Sequence, residues 1–135
     1  MPKKILVVDD ELEICAVLRA YFQKQGYEVV TSTDGGSAIA LAAQERPQII
    51  ILDVKMPGIS GVEVLRILRE KRHPAKIIML SAVKDDDVVK EALRLGADGY
   101  LAKPFHLDQV AQMLTSVSGH KFAPLQPPRG RGPGP

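Results

Sequence analysis

QIIILDVKMPGISG, residues 48–61, decides how the rest of the chain is read. Four consecutive apolar residues close on an aspartate, Asp53, and the chain then breaks into a Met-Pro-Gly turn. A short, continuously apolar, β-branched run bounded by turn residues reads as a strand buried on both faces. A carboxylate at the end of such a strand loses solvation, and an unpaired buried charge is costly. Something elsewhere in the sequence has to hold Asp53 in place.

Four further runs share this character: KILVVD (4–9), YEVVTS (27–32), KIIMLS (76–81) and the weaker GYLA (99–102). Between them lie segments with helical periodicity. The first, from about Glu11 to Gln25, sets Ile14, Leu18, Tyr21 and Phe22 on one face and stops at Gly26. The second, SAIALAAQER, is introduced by Asp34-Gly35-Gly36 and closed before Pro47. The third, GVEVLRILREKR, gathers Val64, Leu65 and Leu68. The fourth begins at the acidic cluster Asp85-Asp86-Asp87, suited to the positive end of a helix dipole, and ends at Gly96. The fifth, HLDQVAQMLTSV, carries the stripe Leu107, Val110, Ala111, Leu114, Val117. The order βαβαβαβαβα with short loops predicts an α/β fold: a five-stranded parallel sheet with helices on both faces, the (βα)5 flavodoxin-like, doubly wound arrangement.

A chain of 135 residues, 45% hydrophobic and 25% charged, suits one domain with a real core. No apolar run approaches the ~20 residues needed to span a bilayer, and no signal peptide is visible, which fits a cytoplasmic protein with no membrane contact. The lone Cys15 excludes an internal disulfide and reads as a small packed hydrophobe. Of the 18 basic residues, Lys121, Arg129 and Arg131 fall in residues 120–135, which hold no acid; the other 15 face 16 acids, a net charge of −1 over residues 1–119. The body is therefore not a basic nucleic-acid binder. Residues 120–135 are rich in Pro and Gly and read as a flexible tail or linker after a domain spanning 1–119.

Ligands of doubly wound sheets bind beyond the carboxyl ends of the strands. The first strand ends in Asp9-Asp10, the third in Asp53, the fourth in Ser81, and the fifth leads to Lys103-Pro104. Three carboxylates, a hydroxyl and an amine are thus expected at one edge. Helix capping accounts for some strand-end acids, and both Asp10 and Asp34 are placed to cap the helices that follow. It does not account for Asp53, because no helix begins before about Gly61. Clustered carboxylates repel one another unless a cation joins them. An all-oxygen donor set favours a hard ion, with Mg²⁺ the usual choice. Such an ion beside a lysine makes a receptor for a phosphoryl group, and an aspartate held there is a candidate nucleophile.

Taken in order, Asp9-Asp10, Asp53 with Met56-Pro57 and Gly61, Ser81-Ala82 and Lys103-Pro104 resemble the receiver domain of two-component response regulators, over about residues 3–119. The resemblance implies a phosphorylation-dependent signalling switch. Asp53 would be the phosphoacceptor. Mg²⁺ would be bound by Asp10, Asp53 and the backbone carbonyl of Lys55, with Asp9 acting through a coordinated water. Lys103 would pair with phosphoryl oxygens, and Ser81 would hydrogen-bond the phosphoryl group and shift toward it, with the N–H groups of Val54 and Ala82 nearby. The Lys103–Pro104 bond would be cis, and Tyr100 matches the aromatic that turns inward when the serine moves. The donor would be a histidine kinase or a histidine phosphotransfer protein, and the output face the fourth helix, fifth strand and fifth helix, including Lys84, Lys90, Glu91 and Arg94. The mixed polarity of that face suits a monomer or a phosphorylation-dependent dimer. The resemblance further implies that the chain would promote its own phosphorylation and dephosphorylation without being a turnover enzyme.

The Pro/Gly tail is compatible with a stand-alone receiver and with a piece of a longer multidomain regulator. Two other classes share the fold. A metal-dependent aspartyl phosphatase resembles D-x-D, but Lys55 occupies the position of its second acid. A flavodoxin-like electron carrier needs a phosphate-cradling loop after the first strand, where Asp9-Asp10-Glu11 stands. His73, His106 and His120 fall outside the strand-end set and read as surface residues.

Overall fold

The computed structural model describes residues 3–82 and 86–118. Strands β1 (Lys4–Val8), β2 (Glu28–Ser32), β3 (Ile49–Asp53), β4 (Lys76–Ala82) and β5 (Gly99–Lys103) alternate with helices α1 (Leu12–Lys24), α2 (Gly35–Glu45), α3 (Gly61–Glu70), α4 (Asp86–Arg94) and α5 (Leu107–Ser118). The strands form one sheet in the order β2-β1-β3-β4-β5, every pair parallel. This is the doubly wound arrangement anticipated above, with β1 and β3 at the switch point of strand order. Lys84, Asp85 and residues 119–135, the tail among them, lie outside the described residues. Among those described, no helix is long and apolar enough to cross a membrane.

The continuous apolar runs have a direct cause. Successive strand residues point to opposite faces, and both faces are covered. Ile5, Val7, Ile49, Ile51, Ile78 and Leu80 pack under α1 and α5 with Leu18, Phe22, Val110 and Leu114. The alternate positions, Leu6, Val8, Ile50, Leu52, Ile77 and Met79, pack under α2, α3 and α4 with Ala38, Val64, Leu65, Leu68 and Ala92. Because β3 is central, all five of its residues are buried, Asp53 included.

Local chemistry sets the helix boundaries. Asp34 caps α2, its carboxylate accepting from the Ser37 N–H at 2.8 Å, so the helix takes in Gly35 and Gly36 and starts earlier than its apolar pattern. Ser60 caps α3 through Glu63 N–H. Asp10 caps nothing: the residue at the N-cap of α1 is Glu11, with no side-chain cap.

Arg69, on the last turn of α3, gathers the loops at the other edge of the sheet. Its guanidinium donates to the carbonyls of Gly96 (2.9 Å), His73 (3.0 Å) and Ala75 (3.0 Å) and pairs with Asp98 at 2.9 Å. Asp98 in turn accepts from Ile77 N–H at 2.8 Å. His73, read from sequence as a surface residue, is half-buried: Nε2 meets the Ala42 carbonyl at 3.0 Å, and Nδ1 accepts from Ala75 N–H at 3.1 Å. The sequence pattern misses it because both partners are backbone atoms, one in α2 and one in its own loop.

Gly61 carries the most constrained approach in the fold. A Cβ there would lie 1.9 Å from the carbonyl oxygen of Asp53, and its N–H donates to the Val54 carbonyl at 2.8 Å. Helix α3 therefore starts directly on the backbone of the strand end. Gly61→Ala is expected to lose about 1–3 kcal/mol of stability, as overpacking against an unyielding backbone does. Urea unfolding measures this, and a midpoint matching the parent chain would show that α3 lifts off β3 freely.

Candidate functional site

The carboxyl ends of β1, β3, β4 and β5 meet at one edge. Asp9, Asp10 and Asp53 each bring a carboxylate oxygen to within 4.8 Å of the others. Asp9 is wholly buried and Asp53 is 4% exposed, whereas Asp10 faces solvent. An open cleft of about 400 Å³ lies over them, lined by Asp10, Asp53, Lys55, Ser81, Ala82 and Lys103 among others.

Asp9 is fixed from several sides. Its N–H donates to the Ser32 carbonyl at 3.0 Å, its Oδ1 accepts from Glu11 N–H at 2.8 Å, and Cys15 Sγ donates to its carbonyl at 3.3 Å. Its other oxygen, Oδ2, has no hydrogen bond of good geometry yet lies 2.8 Å from Lys103 Nζ, so the contact is ionic rather than directional. The same ammonium lies 3.1 Å from Glu11 and 3.3 Å from Asp53 Oδ1. One cation thus bridges three acids contributed by two strand ends and the residue that opens α1.

Charge and burial set the titration of these groups. Burial, then the neighbouring Asp9 charge, pushes the Asp53 carboxyl up to about 6, against the opposing pull of Lys103. Burial lowers the Lys103 pKa, but the close contacts with Asp9 and Glu11 and the charge of Asp53 outweigh it, and the net shift is upward. Lys103 is a fixed cation and Asp53 a strained anion.

Ser81 supplies a further pointer. Its side chain is 2% exposed, and its hydroxyl has no hydrogen-bond partner among the described residues. A buried hydroxyl without a partner costs free energy, so this one is suited to bond an oxygen of a bound oxyanion. With three hard oxygen donors beside it, the edge suits a divalent cation such as Mg²⁺ together with an oxyanion.

The structure brings together Asp9, Asp10, Asp53, Lys55, Ser81, Ala82 and Lys103, and the Lys103–Pro104 bond is cis. Val54 lines the cleft too, but its N–H, expected to face a phosphoryl group, donates to the Leu80 carbonyl at 2.8 Å, one hydrogen bond beyond the last β3–β4 pair, Asp53 with Leu80. Tyr100 is 42% exposed and is not among the residues that line the cleft. Glu11 is the participant that strand-end reading missed. The only signal for it is that it extends the acidic run Asp9-Asp10, and its contact depends on the reach of a lysine 92 residues away.

Comparisons with known proteins agree with the fold. A family model described as "Response regulator receiver domain" matches residues 5–115. The alkaline phosphatase synthesis transcriptional regulatory protein PhoP of Bacillus subtilis (strain 168) is 45% identical over 118 residues, covering 87% of this chain and 49% of that protein. The chain therefore spans about half the length of this curated relative. Among solved structures, the Vibrio cholerae chemotaxis protein CheY4 is similar with a TM-score of 0.81 and 34% identity, over 87% of this chain and 99% of that one. A CheX-CheY-BeF3-Mg+2 complex from Borrelia burgdorferi is similar with a TM-score of 0.82 and 30% identity, over 87% and 90%.

The raised Asp53 pKa has a stability consequence with a defined sign. With a pKa of about 6 folded and 3.8 unfolded, the folded state binds more protons between those values, so stability falls as pH rises through that window. Above it, the buried charge costs the fold up to about 3 kcal/mol in metal-free protein. Asp53→Asn removes that cost. In chelator-treated protein the variant is expected to unfold at higher urea than the parent at neutral pH, with the gap closing toward pH 4. A gap that is absent at neutral pH, or that widens in acid, contradicts this account.

Proposed function

The chain belongs to the response regulator receiver domain family, the signalling domains of two-component systems, and from that premise we propose that Asp53 is its phosphoacceptor. The observation that carries the reading is the buried Asp53 carboxylate clustered with Asp9 and Asp10 and touched by the Lys103 ammonium. A site that receives compensating positive charge and an incoming anion accounts for such a carboxylate at the end of a core strand.

In the proposed reaction Asp53 Oδ attacks the phosphorus of a phosphohistidine on a histidine kinase or phosphotransfer protein. The O–P bond forms as the P–N bond breaks, and its electron pair returns to the imidazole nitrogen of the donor. Asp10, Asp53 and the Lys55 carbonyl are proposed to hold Mg²⁺, with Asp9 acting through a coordinated water. Bound there, the ion offsets the repulsion among the carboxylates and between them and the phosphoryl oxygens. The Borrelia burgdorferi relative, described with BeF3 and Mg+2, supports that choice of cation.

Lys103 has two successive tasks in this scheme. Before transfer it keeps Asp53 ionised and therefore nucleophilic; after transfer the carboxylate becomes an acyl phosphate, and the ammonium follows the charge onto the phosphoryl oxygens. The Ser81 hydroxyl supplies its unused hydrogen bond to another phosphoryl oxygen, with Ala82 N–H beside it. Moving Ser81 toward the phosphoryl group vacates space behind it, which Tyr100 turns inward to fill, altering the α4–β5–α5 face read by a downstream partner. Tyr100 pairs with Met79, two residues before Ser81 on the neighbouring strand, so the coupling is short. The side chain of Lys55, exposed at the rim of the cleft, is proposed to shield the acyl phosphate from water.

Incubation with acetyl phosphate and Mg²⁺, followed by intact-mass measurement, is expected to show one added phosphoryl group, absent with chelator and absent in Asp53→Asn. Labelling that persists in Asp53→Asn overturns the assignment. Lys55→Ala is expected to shorten the lifetime of the acyl phosphate in a dephosphorylation time course; equal half-lives remove the shielding role.

A further inference from the structure

The opposite edge of the sheet, where the strands begin, carries two adjoining cavities unconnected with phosphoryl transfer. The larger, about 410 Å³, has apolar walls of Tyr27, Pro47, Ile49, Pro74 and Ala75, with Lys3, Arg46 and Lys76 at its rim. The second, about 340 Å³, shares Arg46, Pro47 and Pro74 with the first and adds Lys71, Arg72 and His73. No acid lines either cavity. Glu45, next to Arg46 in sequence, is held by Lys4 at 2.7 Å. Arg46, Lys71, Arg72 and Lys76 are exposed, and none makes an ion pair among the described residues. Five bases thus ring one groove on a body whose net charge over residues 1–119 is −1.

Helix polarity explains part of this. Helices α2 and α3 end at this edge, and cations suit their negative ends. It explains neither Lys3 and Lys76, which come from the starts of strands, nor the backbone at the two arginines. Four helices leave through a residue with positive φ: α1 at Gly26 (90°), α4 at Gly96 (107°), α2 at Arg46 (51°) and α3 at Arg72 (59°). The first two use glycine, the residue that adopts this conformation without strain. The two exits that border the groove place an arginine there, at a conformational cost that glycine would avoid. Both exceptions fall on the same pair of cavities.

We propose that this groove binds a small phosphorylated ligand carrying a flat apolar group, of the nucleotide class. The volume is that of a small-molecule pocket. The guanidinium groups suit phosphate oxygens in forked geometry, and the wall between Pro47 and Pro74 suits the face of a ring that inorganic phosphate lacks. The groove lies across the sheet from Asp53, so binding here is separable from phosphorylation.

The test titrates ATP in chelator, which keeps Mg²⁺ from the Asp53 edge, into isotope-labelled full-length chain while amide chemical shifts are followed. Shifts are expected at Tyr27 and around residues 46–49 and 72–76. Arg46→Gly and Arg72→Gly each remove a cation while easing the backbone, so both are expected to fold and to take up phosphate from acetyl phosphate as the parent does. Each is expected to weaken ATP binding about tenfold, the usual scale for a charge-assisted contact. Inorganic tripolyphosphate is expected to bind about tenfold more weakly than ATP. Shifts confined to the Asp53 edge, unchanged affinity in both variants, or tripolyphosphate binding as tightly as ATP overturns the proposal. Tighter binding of a short oligonucleotide overturns it too, in favour of a nucleic-acid face.

Discussion

A single ammonium group holds together what would otherwise fly apart. Lys103 Nζ stands within 3.3 Å of acids from the end of β1, the end of β3 and the start of α1. Without it, two buried carboxylates would face each other across adjacent strand ends, where neither burial nor the polar backbone compensates like charge. With it, Asp9 and Asp53 remain buried at the edge of an apolar core. The compensation is incomplete, because the Asp53 carboxyl is still pushed up to about 6. That residue of unbalanced charge is what makes the edge receptive to a further cation.

The sheet supplies the rigidity this arrangement needs. Strands buried on both faces by α1 and α5 on one side and α2, α3 and α4 on the other have little freedom to slide. Their ends are correspondingly fixed, and the side chains placed there are preorganised rather than recruited. The parallel arrangement also sorts chemistry by direction: acids, hydroxyl and amine collect where the strands finish, and a cluster of cations collects where they begin.

Much of this was legible from residue order. The run QIIILD announces a doubly covered strand, and the strand-end positions alone name Asp9, Asp10, Asp53, Ser81 and Lys103 as neighbours. Spacing and composition suffice for that because strand ends of a parallel sheet converge by topology alone. What stayed hidden depends on hydrogen-bond direction and side-chain reach. Asp10 read as a possible helix cap, yet the cap position falls at Glu11. The resemblance sets the Val54 N–H near the phosphoryl group, yet it donates to the Leu80 carbonyl. Glu11 and His73 escape the pattern because their partners, a lysine from another strand and backbone atoms of α2 and of the loop itself, leave no periodic trace in the chain.

Arg69 pins the loop leading into β5 to the end of α3 and the start of β4 through Gly96, Ala75 and Asp98. The same strand finishes at Lys103, beside the carboxylates, with Tyr100 between the two ends. Mechanically, β5 is a bar clamped at its root. A displacement imposed at its tip would be delivered as a tilt about that root instead of a translation of the whole strand. Tyr100, one residue past Gly99, sits near the fulcrum, where a tilt moves the backbone least. Its swing would therefore be a change of rotamer into space opened by a neighbour rather than a ride on a moving strand.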